Sequence, residues 1–251
     1  MDLSADTIVI RTKGGTRVLV NPRRIHPTGR LVIGLCTVGT RKKSYLLQTI
    51  RSLLRNRSGR SDIVIAVYHC DLTGSANESV EALKREFGHE IDVGGLKVFR
   101  VDNHPDHIGR SDAYSSYDSW RSKQNFDCSE AFRRSQDLGD YYTHVEDDVV
   151  ACPYYDLYIF KEMLIHPGWG ILRMAQGGSI GCTFRQDDLA PMSAILLELL
   201  RQKPCDWIID EYVTRYNKTV VRPGYSIFQH IGYERSLTGK TQTVVFDNFI
   251  G

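Results

Sequence analysis

The sequence lacks the long apolar runs that mark membrane-spanning and secreted chains. No stretch of about eighteen apolar residues occurs among its 251 residues, so no transmembrane helix is predicted. Residues 1–15 have neither the basic start nor the apolar centre of a signal peptide. Because 41% of the residues are hydrophobic and 25% are charged, we expect a soluble chain that folds around a full core.

A strong charge of one sign and paired cysteines are also missing. The formal net charge of +2 provides no broad basic surface for nucleic acid, so any anion is expected to bind locally. The six cysteines include no C-x-x-C pair, which excludes the usual structural zinc patterns and leaves free thiols or isolated disulfides. No G-x-G-x-x-G motif follows a predicted strand, so a dinucleotide site is not indicated.

Short apolar runs alternate with amphipathic stretches along most of the chain. Strands are predicted over 31–36, 62–68 and 96–101, and the helices between them carry apolar residues at spacings of three and four. Ser75 is a possible N-cap of the second helix. This alternation predicts an α/β fold with a mostly parallel central sheet flanked by helices. Residues 1–30, with β-prone runs at 7–10 and 17–20, are predicted to form a hairpin appendage and linker, and residues 31–251 one domain.

The second half of the chain continues the same pattern. A helix is predicted from Trp120 to about Leu138, and the apolar stripe between Leu189 and Leu200 predicts another that packs in the core. Asp206 is placed to cap a helix that runs through Asn217. The remaining predicted elements are a helix over 153–165, a strand over 170–174, a glycine-rich loop over 175–181 that includes Gly181, and a last strand over 220–222.

Three consecutive acids, Glu146, Asp147 and Asp148, follow the β-prone run that begins at Tyr141. Adjacent carboxylates repel one another and raise each other's pKa unless a cation is bound. Hard oxygen ligands of this kind suit Mg²⁺ or Mn²⁺. The triplet therefore indicates either a metal site or a solvated acidic turn.

Polar and basic residues are expected beside these acids, because ligands of parallel sheets bind beyond the carboxyl ends of the strands. One group follows the first core strand, and the other begins the helix at Trp120, where cations are unfavourable unless an anion is bound. A phosphate-bearing ligand would account for both groups, although a strand-to-helix turn or a solvated helix face needs no ligand. The polar and basic residues concerned are Thr37, Arg41, Arg121, Lys123 and Gln124, and Val38 lies among the first group.

Ordered blocks along the chain resemble the N-acetylglucosaminyltransferase IV family, whose catalytic domains are glycosyltransferases of the GT-A fold. The resemblance spans about residues 31–240. The blocks are 44–46, Trp120-Arg121, 123–125, Tyr141-Tyr142 with 146–148, Lys203-Pro204 with Asp206-Trp207 and Asp210, Arg222-Pro223, Phe228-Gln229-His230 with Gly232, and Ser236-Leu237 with Gly239-Lys240.

The resemblance implies transfer of N-acetylglucosamine from UDP-GlcNAc to a mannose hydroxyl of a glycan or glycoprotein, in β1,4 linkage and with inversion. It implies a divalent metal, usually Mn²⁺, with Mg²⁺ as an alternative. Asp148 would be a metal ligand and His230 a further one. Glu146, Asp147 and Gly181 would lie beside the nucleotide sugar, and Lys240, Arg121 and Lys123 would neutralise phosphate charge.

The catalytic base implied by the resemblance is Asp206, with Asp210 as its rival one helical turn later. A carboxylate that holds a metal is not free to accept the proton of the acceptor hydroxyl, so the base is expected outside the acidic triplet. From the residues alone, capping of its helix is the favoured role of Asp206. His230 could equally be a structural or surface histidine, and it bears on the site only if its segment folds back over the acids.

Two other functions remain open at this point. One is a GT-A transferase that uses a different acceptor, such as a microbial glycan, and the other is a catalytically silent domain that binds sugar nucleotides or glycans. Family members carry a membrane anchor with a stem and a further carboxyl-terminal domain, and we recognise neither pattern in these residues. The resemblance implies the Golgi lumen if an anchor is missing from this chain, and a soluble location otherwise.

Overall fold

A computed structural model of the chain describes residues 8–11, 17–20, 29–39, 44–71, 77–101, 117–233 and 246–251. The strands are β1 (Ile8–Arg11), β2 (Arg17–Val20), β3 (Leu31–Thr37), β4 (Ile63–His69), β5 (Leu96–Arg100), β6 (Tyr141–Glu146), β7 (Val149–Ala151), β8 (Ile171–Arg173), β9 (Cys182–Arg185), β10 (Val220–Val221) and β11 (Phe228–His230). The helices are α1 (Leu46–Asn56), α2 (Glu78–Glu86), α3 (Gly88–Asp92), α4 (Tyr117–Ser135), α5 (Tyr155–Ile165), α6 (Gln186–Glu198) and α7 (Cys205–Arg215). None of these helices is long and apolar enough to cross a bilayer.

Seven strands form the central sheet in the order β10-β8-β9-β6-β3-β4-β5. Every neighbouring pair is parallel except those of β9, which is antiparallel to both β6 and β8. The predicted α/β fold with a mostly parallel sheet is therefore confirmed. Two smaller pairs lie apart from this sheet, β1 with β2 as the predicted hairpin and β7 with β11. The proposed domain boundary after residue 30 stays a prediction.

Helices cover both faces of the sheet because residues along the central strands alternate between two hydrophobic clusters. Leu31, Ile33 and Leu35 pack with helices α1, α2 and α5, whereas Val32 packs with α4, α6 and α7. Extended backbone turns successive side chains to opposite faces, so a strand covered on both sides is apolar at nearly every position. Each such fully buried side chain stabilises the fold by about 1.5–3 kcal/mol.

Gly34 in β3 allows a bulky neighbour to cross the sheet surface. A Cβ atom at this position would lie 2.2 Å from the ring of Tyr142 in the adjacent strand β6. The tyrosine ring therefore occupies the space that a side chain at residue 34 would need. The two strands that carry the candidate site are packed closely at this point.

Several predicted boundaries and one cap differ from the structure. The N-cap of α2 is Asn77, which accepts hydrogen bonds from the backbone N–H groups of Ser79 and Val80, and Ser75 lies outside the described residues. The prediction that Asp206 caps its helix is wrong, because Pro204 is the N-cap of α7 and Asp206 lies in the first turn. The helix predicted from Trp120 begins at Tyr117 and ends at Ser135. Strands β9 and β11 were not predicted, so the segment over 220–222 is not the last strand.

Candidate functional site

The acidic triplet forms the turn between β6 and β7, and hydrogen bonds from β3 and α1 hold it in place. Thr37 donates to the Asp147 carboxylate, with Oγ1 2.7 Å from Oδ2. Thr49 donates through Oγ1 to the Asp147 carbonyl at 2.9 Å and accepts from the Val149 amide at 3.1 Å. Asp147 is thereby turned towards β3, so the three acids do not point in one direction.

His230 reaches the triplet from the far end of the chain. Strand β11 pairs antiparallel with β7 so that His230 lies opposite Val149, and the Ile231 amide donates to the Asp148 carbonyl at 2.8 Å. The Nε2 atom of His230 is 3.4 Å from Asp148 Oδ2 and 3.9 Å from Glu146 Oε2. The segment therefore folds back over the acids, which is the condition under which His230 was expected to bear on the site.

Glu146, Asp148 and His230 each offer one ligand atom, and these atoms all lie within 4.8 Å of one another. Neighbouring ligands of one octahedral ion, each about 2.1 Å from it, would be about 3 Å apart. Two carboxylate oxygens and an imidazole nitrogen, with no thiolate in the group, suit Mn²⁺ or Mg²⁺. The group fits a divalent cation, and it includes Glu146, which the sequence had assigned to the nucleotide sugar.

Gly232 permits the close approach of this group to the chain after β11. A Cβ atom on residue 232 would lie 2.1 Å from Asp148 Oδ2 and 3.0 Å from His230 Cε1. Because real Cβ atoms essentially never come as close as 2.1 Å, any other residue would displace the Asp148 carboxylate, and it would also crowd the imidazole. The sequence placed this glycine in a family block but did not give it a role.

The glycine-rich loop lies beside Glu146. Ser179 Oγ is 3.4 Å from Glu146 Oε1, and the Gly181 amide donates to the His144 carbonyl at 2.8 Å. Gly178 and Gly181 have φ values of 66° and 70°, a left-handed conformation that favours glycine. The loop therefore passes close to the carboxyl end of β6, and the assignment of Gly181 to the nucleotide sugar stays a prediction.

A cleft opens next to the triplet, between the ends of β3 and β6 and helix α4. It brings together many of the residues that the sequence placed beside a nucleotide sugar. It also contains residues that the sequence did not select. The lining residues are Cys36, Thr37, Val38, Trp120, Lys123, Gln124, Asp127, Cys128, His144, Val145, Glu146 and Asp147.

Of the two basic residues predicted at the start of α4, Lys123 lies at the cleft and Arg121 does not. Lys123 lines the cleft but is buried, and its ammonium group donates to the Cys70 carbonyl and to the Asp127 carboxylate. Burial raises the pKa of Asp127 to about 7, although the nearby Lys123 lowers it. Arg121 does not line the cleft, and it donates to the Asp118 carboxylate and the Arg201 carbonyl. Arg41 and Lys240 lie outside the described residues.

A thiol and an imidazole pair at the floor of the cleft. Cys128 Sγ is 3.8 Å from His144 Nε2, and the Tyr142 hydroxyl is 3.2 Å from His144 Nδ1. Hydrogen bonds from the Cys205 and Cys36 thiols hold the pKa of Cys128 well below its usual range, and His144 adds to this effect. Burial lowers the pKa of His144, but the charge of Cys128, its hydrogen bond and the charge of Glu146 together outweigh burial, so the pKa is raised. All six cysteines are free thiols, which resolves the alternative left open by their spacing.

The two candidate bases lie on α7, which sits against the same edge of the sheet. Asp210 Oδ1 accepts a hydrogen bond of 2.5 Å from Arg173 Nη2 at the end of β8. Arg173 is opposite Cys182 in β9, and Cys182 is opposite His144 in β6. Asp206 is partly buried one turn before Asp210. The structure thus places both carboxylates on the β8 side of the sheet edge that carries the cleft.

The fold is that of solved GT-A glycosyltransferases. A mannosyltransferase from Pyrobaculum calidifontis in complex with GDP-mannose and Mn²⁺ superposes with a TM-score of 0.52 and 10% identity, over 79% of this chain and 56% of that one. Residues 1–349 of TarS from S. aureus, in complex with UDP, superpose with a TM-score of 0.53 and 10% identity, over 79% and 59% of the two chains. At such low identity the likeness establishes the fold alone.

Curated relatives share more of the sequence. The chain is 30% identical to alpha-1,3-mannosyl-glycoprotein 4-beta-N-acetylglucosaminyltransferase A of Rattus norvegicus, over 93% of this chain and 51% of the relative. It is 31% identical to the B enzyme of Danio rerio, over 87% and 45% of the two proteins, and 30% identical to the C enzyme of Sus scrofa, over 87% and 48%. The chain therefore spans about half the length of these relatives. The family model described as the MGAT4 conserved region matches residues 17–249, and the chain belongs to that family.

Proposed function

We propose that this chain transfers N-acetylglucosamine from UDP-GlcNAc to a mannose hydroxyl of an N-glycan-like acceptor, in β1,4 linkage and with inversion. The observation that carries the proposal is the grouping of Glu146, Asp148 and His230 beside the cleft that holds six of the predicted nucleotide residues. The names of the relatives support the donor sugar and the mannose acceptor.

A divalent cation, Mn²⁺ or Mg²⁺, bound by Glu146, Asp148 and His230 would supply positive charge to the departing diphosphate. Thr37 and Thr49 serve this group indirectly, because their hydrogen bonds to Asp147 fix the turn that carries both carboxylates. Thr37, Val38, Lys123 and Gln124 would contact the nucleotide in the cleft.

Asp206 is the proposed catalytic base. The acceptor hydroxyl oxygen would form a bond to the anomeric carbon while the bond from that carbon to the diphosphate oxygen breaks, so that UDP leaves and Asp206 receives the hydroxyl proton. Asp210 is the less suitable candidate because Arg173 already occupies its Oδ1 atom. Holding Asp210 in an ion pair suits a positioning or binding role better than proton transfer.

The test is UDP release from UDP-GlcNAc, measured with and without Mn²⁺ and with and without a mannose-terminated acceptor. We expect release that depends on both additions, and linkage analysis of the product should find β1,4 N-acetylglucosamine. Asp148→Ala should lose metal-dependent UDP binding. Binding of UDP-GlcNAc without turnover on any acceptor of a panel would contradict the proposal and indicate a silent binding domain.

We also propose the Golgi lumen as the place of action, on family membership. Localisation of the full natural protein with a fluorescent tag tests this proposal. Tagged protein that remains outside the Golgi would contradict it.

A further inference from the structure

Trp207 is unusually exposed for a large aromatic side chain. Its exposed fraction is 62%, whereas Trp169 is almost fully buried. In the described part of the chain the Trp207 ring takes part in no ring–ring or cation–ring pair, although Trp169 lies under the Arg185 guanidinium. Leaving an indole in water forgoes the free energy of burying its apolar surface, about 25 cal/mol per Å².

Helical geometry places Trp207 on the same side of α7 as the two candidate bases. Cys205, Ile208, Ile209 and Tyr212 are the buried residues of this helix. Asp206 and Asp210 are four residues apart and Trp207 and Asp210 three apart, so the three side chains occupy the opposite, solvent-facing side. We call the surface formed by Asp206, Trp207 and Asp210 the α7 platform.

The α7 platform is anchored to the catalytic edge of the sheet. Arg173, which is buried, donates to Asp210 Oδ1 and so fixes a carboxylate whose side chain is 59% exposed. Among the described residues, no hydrogen bond reaches the other oxygen, Asp210 Oδ2, so it can accept one from a ligand. The fixed carboxylate oxygen of Asp210 and the exposed face of the Trp207 ring are thus two preorganised contacts for a ligand.

From this arrangement we propose that the α7 platform is the subsite for the sugar ring that receives the transfer. A pyranose has an apolar C–H face that can stack on the Trp207 indole, and hydroxyl groups at its edge that can donate to Asp210. Asp206, next to Trp207 in the chain, would then stand beside a hydroxyl of the stacked ring. The inference rests on the proposed function and assigns its acceptor side.

The charge of the α7 platform decides between the two substrates. Arg173 compensates the charge of Asp210, so the Asp206 carboxylate beside Trp207 leaves the surface with a net negative charge. That charge disfavours the diphosphate of the nucleotide sugar, whereas a neutral glycan carries no such penalty. The sugar that receives the transfer is therefore the better match to the α7 platform.

The experiment compares Trp207→Ala and Trp207→Phe with the parent chain in steady-state transfer to a mannose-terminated oligosaccharide. Trp207→Ala should raise the KM for the acceptor by roughly three- to tenfold, the loss expected for one aromatic stacking contact, and leave the KM for UDP-GlcNAc unchanged. Trp207→Phe should recover much of the difference. Tyr216→Ala is the matched control, because Tyr216 is 47% exposed at the other end of the same helix and packs against Tyr212.

A binding measurement separates failure of the inference from failure of the proposed function. Intrinsic fluorescence of the parent is titrated with the oligosaccharide, and Trp207→Phe should abolish the response. If the parent transfers sugar and Trp207→Ala keeps the parental acceptor KM, the inference is overturned. If the parent transfers nothing, the proposed function fails, and the titration alone decides whether the α7 platform binds the sugar.

Discussion

The imidazole of His230 lies 3.4 Å from the carboxylate of Asp148, Nε2 to Oδ2, although the two residues belong to distant parts of the chain. Their proximity follows from the pairing of β11 with β7, in which His230 is opposite Val149. This short strand pair thus brings an imidazole nitrogen next to the carboxylates of Glu146 and Asp148.

Replacing His230 with alanine should lower the affinity for Mn²⁺ in the presence of UDP by at least about tenfold, because one ligand atom is lost. Calorimetric titration of Mn²⁺ in the presence of UDP measures the change. His166→Ala is the control, since this histidine also faces a carboxylate, Glu162, at 3.4 Å but lies at the end of α5. A titration of His230→Ala that overlays the parent would remove His230 from the ligand set.

Gly232→Ala should damage the same site although it replaces none of the three proposed ligand residues. The added Cβ would lie 2.1 Å from Asp148 Oδ2, so the carboxylate must move, and we expect Mn²⁺-dependent UDP binding to fall by at least about tenfold. Gly224→Ala provides the control, because a Cβ there meets no atom within 4 Å. Parental Mn²⁺ affinity in Gly232→Ala would show that the metal does not depend on the position of the Asp148 carboxylate.

The assignment of the base is tested by two amide substitutions on α7. Asp206→Asn should keep UDP and Mn²⁺ binding and reduce kcat by about 10²-fold or more, as expected when a general base is removed. Asp210→Asn should retain more turnover, with its main effect on acceptor KM, because it weakens the contact with Arg173 and the proposed sugar contact. Near-normal kcat in Asp206→Asn together with loss of turnover in Asp210→Asn would reverse the two roles.

Asp156 provides a prediction about stability and pH. Burial raises the pKa of this carboxyl, which accepts hydrogen bonds from the Ser58 amide and hydroxyl. The folded state therefore holds the proton more tightly than the unfolded state, so stability is lost as the pH rises from about 4, the unfolded pKa, through the raised folded pKa. Each unit of difference between the two pKa values amounts to ~1.4 kcal/mol.

Asp156→Asn should remove this loss, because an amide carries no charge and can still bond to Ser58. We expect its Tm to exceed that of the parent at pH 8 by more than at pH 5. Asp187→Asn is the control, since Asp187 also lies in the first turn of a helix, α6, but is exposed. A Tm difference between Asp156→Asn and the parent that stays constant or shrinks as the pH rises would contradict the prediction.

The sheet could be predicted from the sequence because its inner strands are buried on both faces. Continuous apolar runs such as the one at β3 and β4 are typical of that environment. Strands β9 and β11 have only four and three residues, which is too short for a periodic signal, and their pairing depends on distant partners. The return of His230 to the acids was therefore open until the pairing of β11 was known.

The acidic triplet lies where the strand pattern stops. Glu146 ends β6, whereas Asp147 and Asp148 form the turn that follows, so the alternation of side chains along extended backbone does not reach them. The sequence therefore could not indicate that Asp147 binds Thr37 while Glu146 and Asp148 lie together. The same alternation along β6 places His144 on the side of Tyr142 and the cleft. The N-cap of α7 could not be predicted from the sequence, because the side chain of Pro204 has no hydrogen-bonding group.

The pairing of β11 with β7 also bears on when the chain could bind the proposed metal. A fragment that ends before Phe228 would contain Glu146 and Asp148 but not His230, and β7 would lack its partner strand. Bringing these segments together closes a long loop, which costs chain entropy and slows folding. Metal binding is thus expected to be a late event in the maturation of the protein, and affinity for Mn²⁺ should report whether the chain has been synthesised and folded as far as β11.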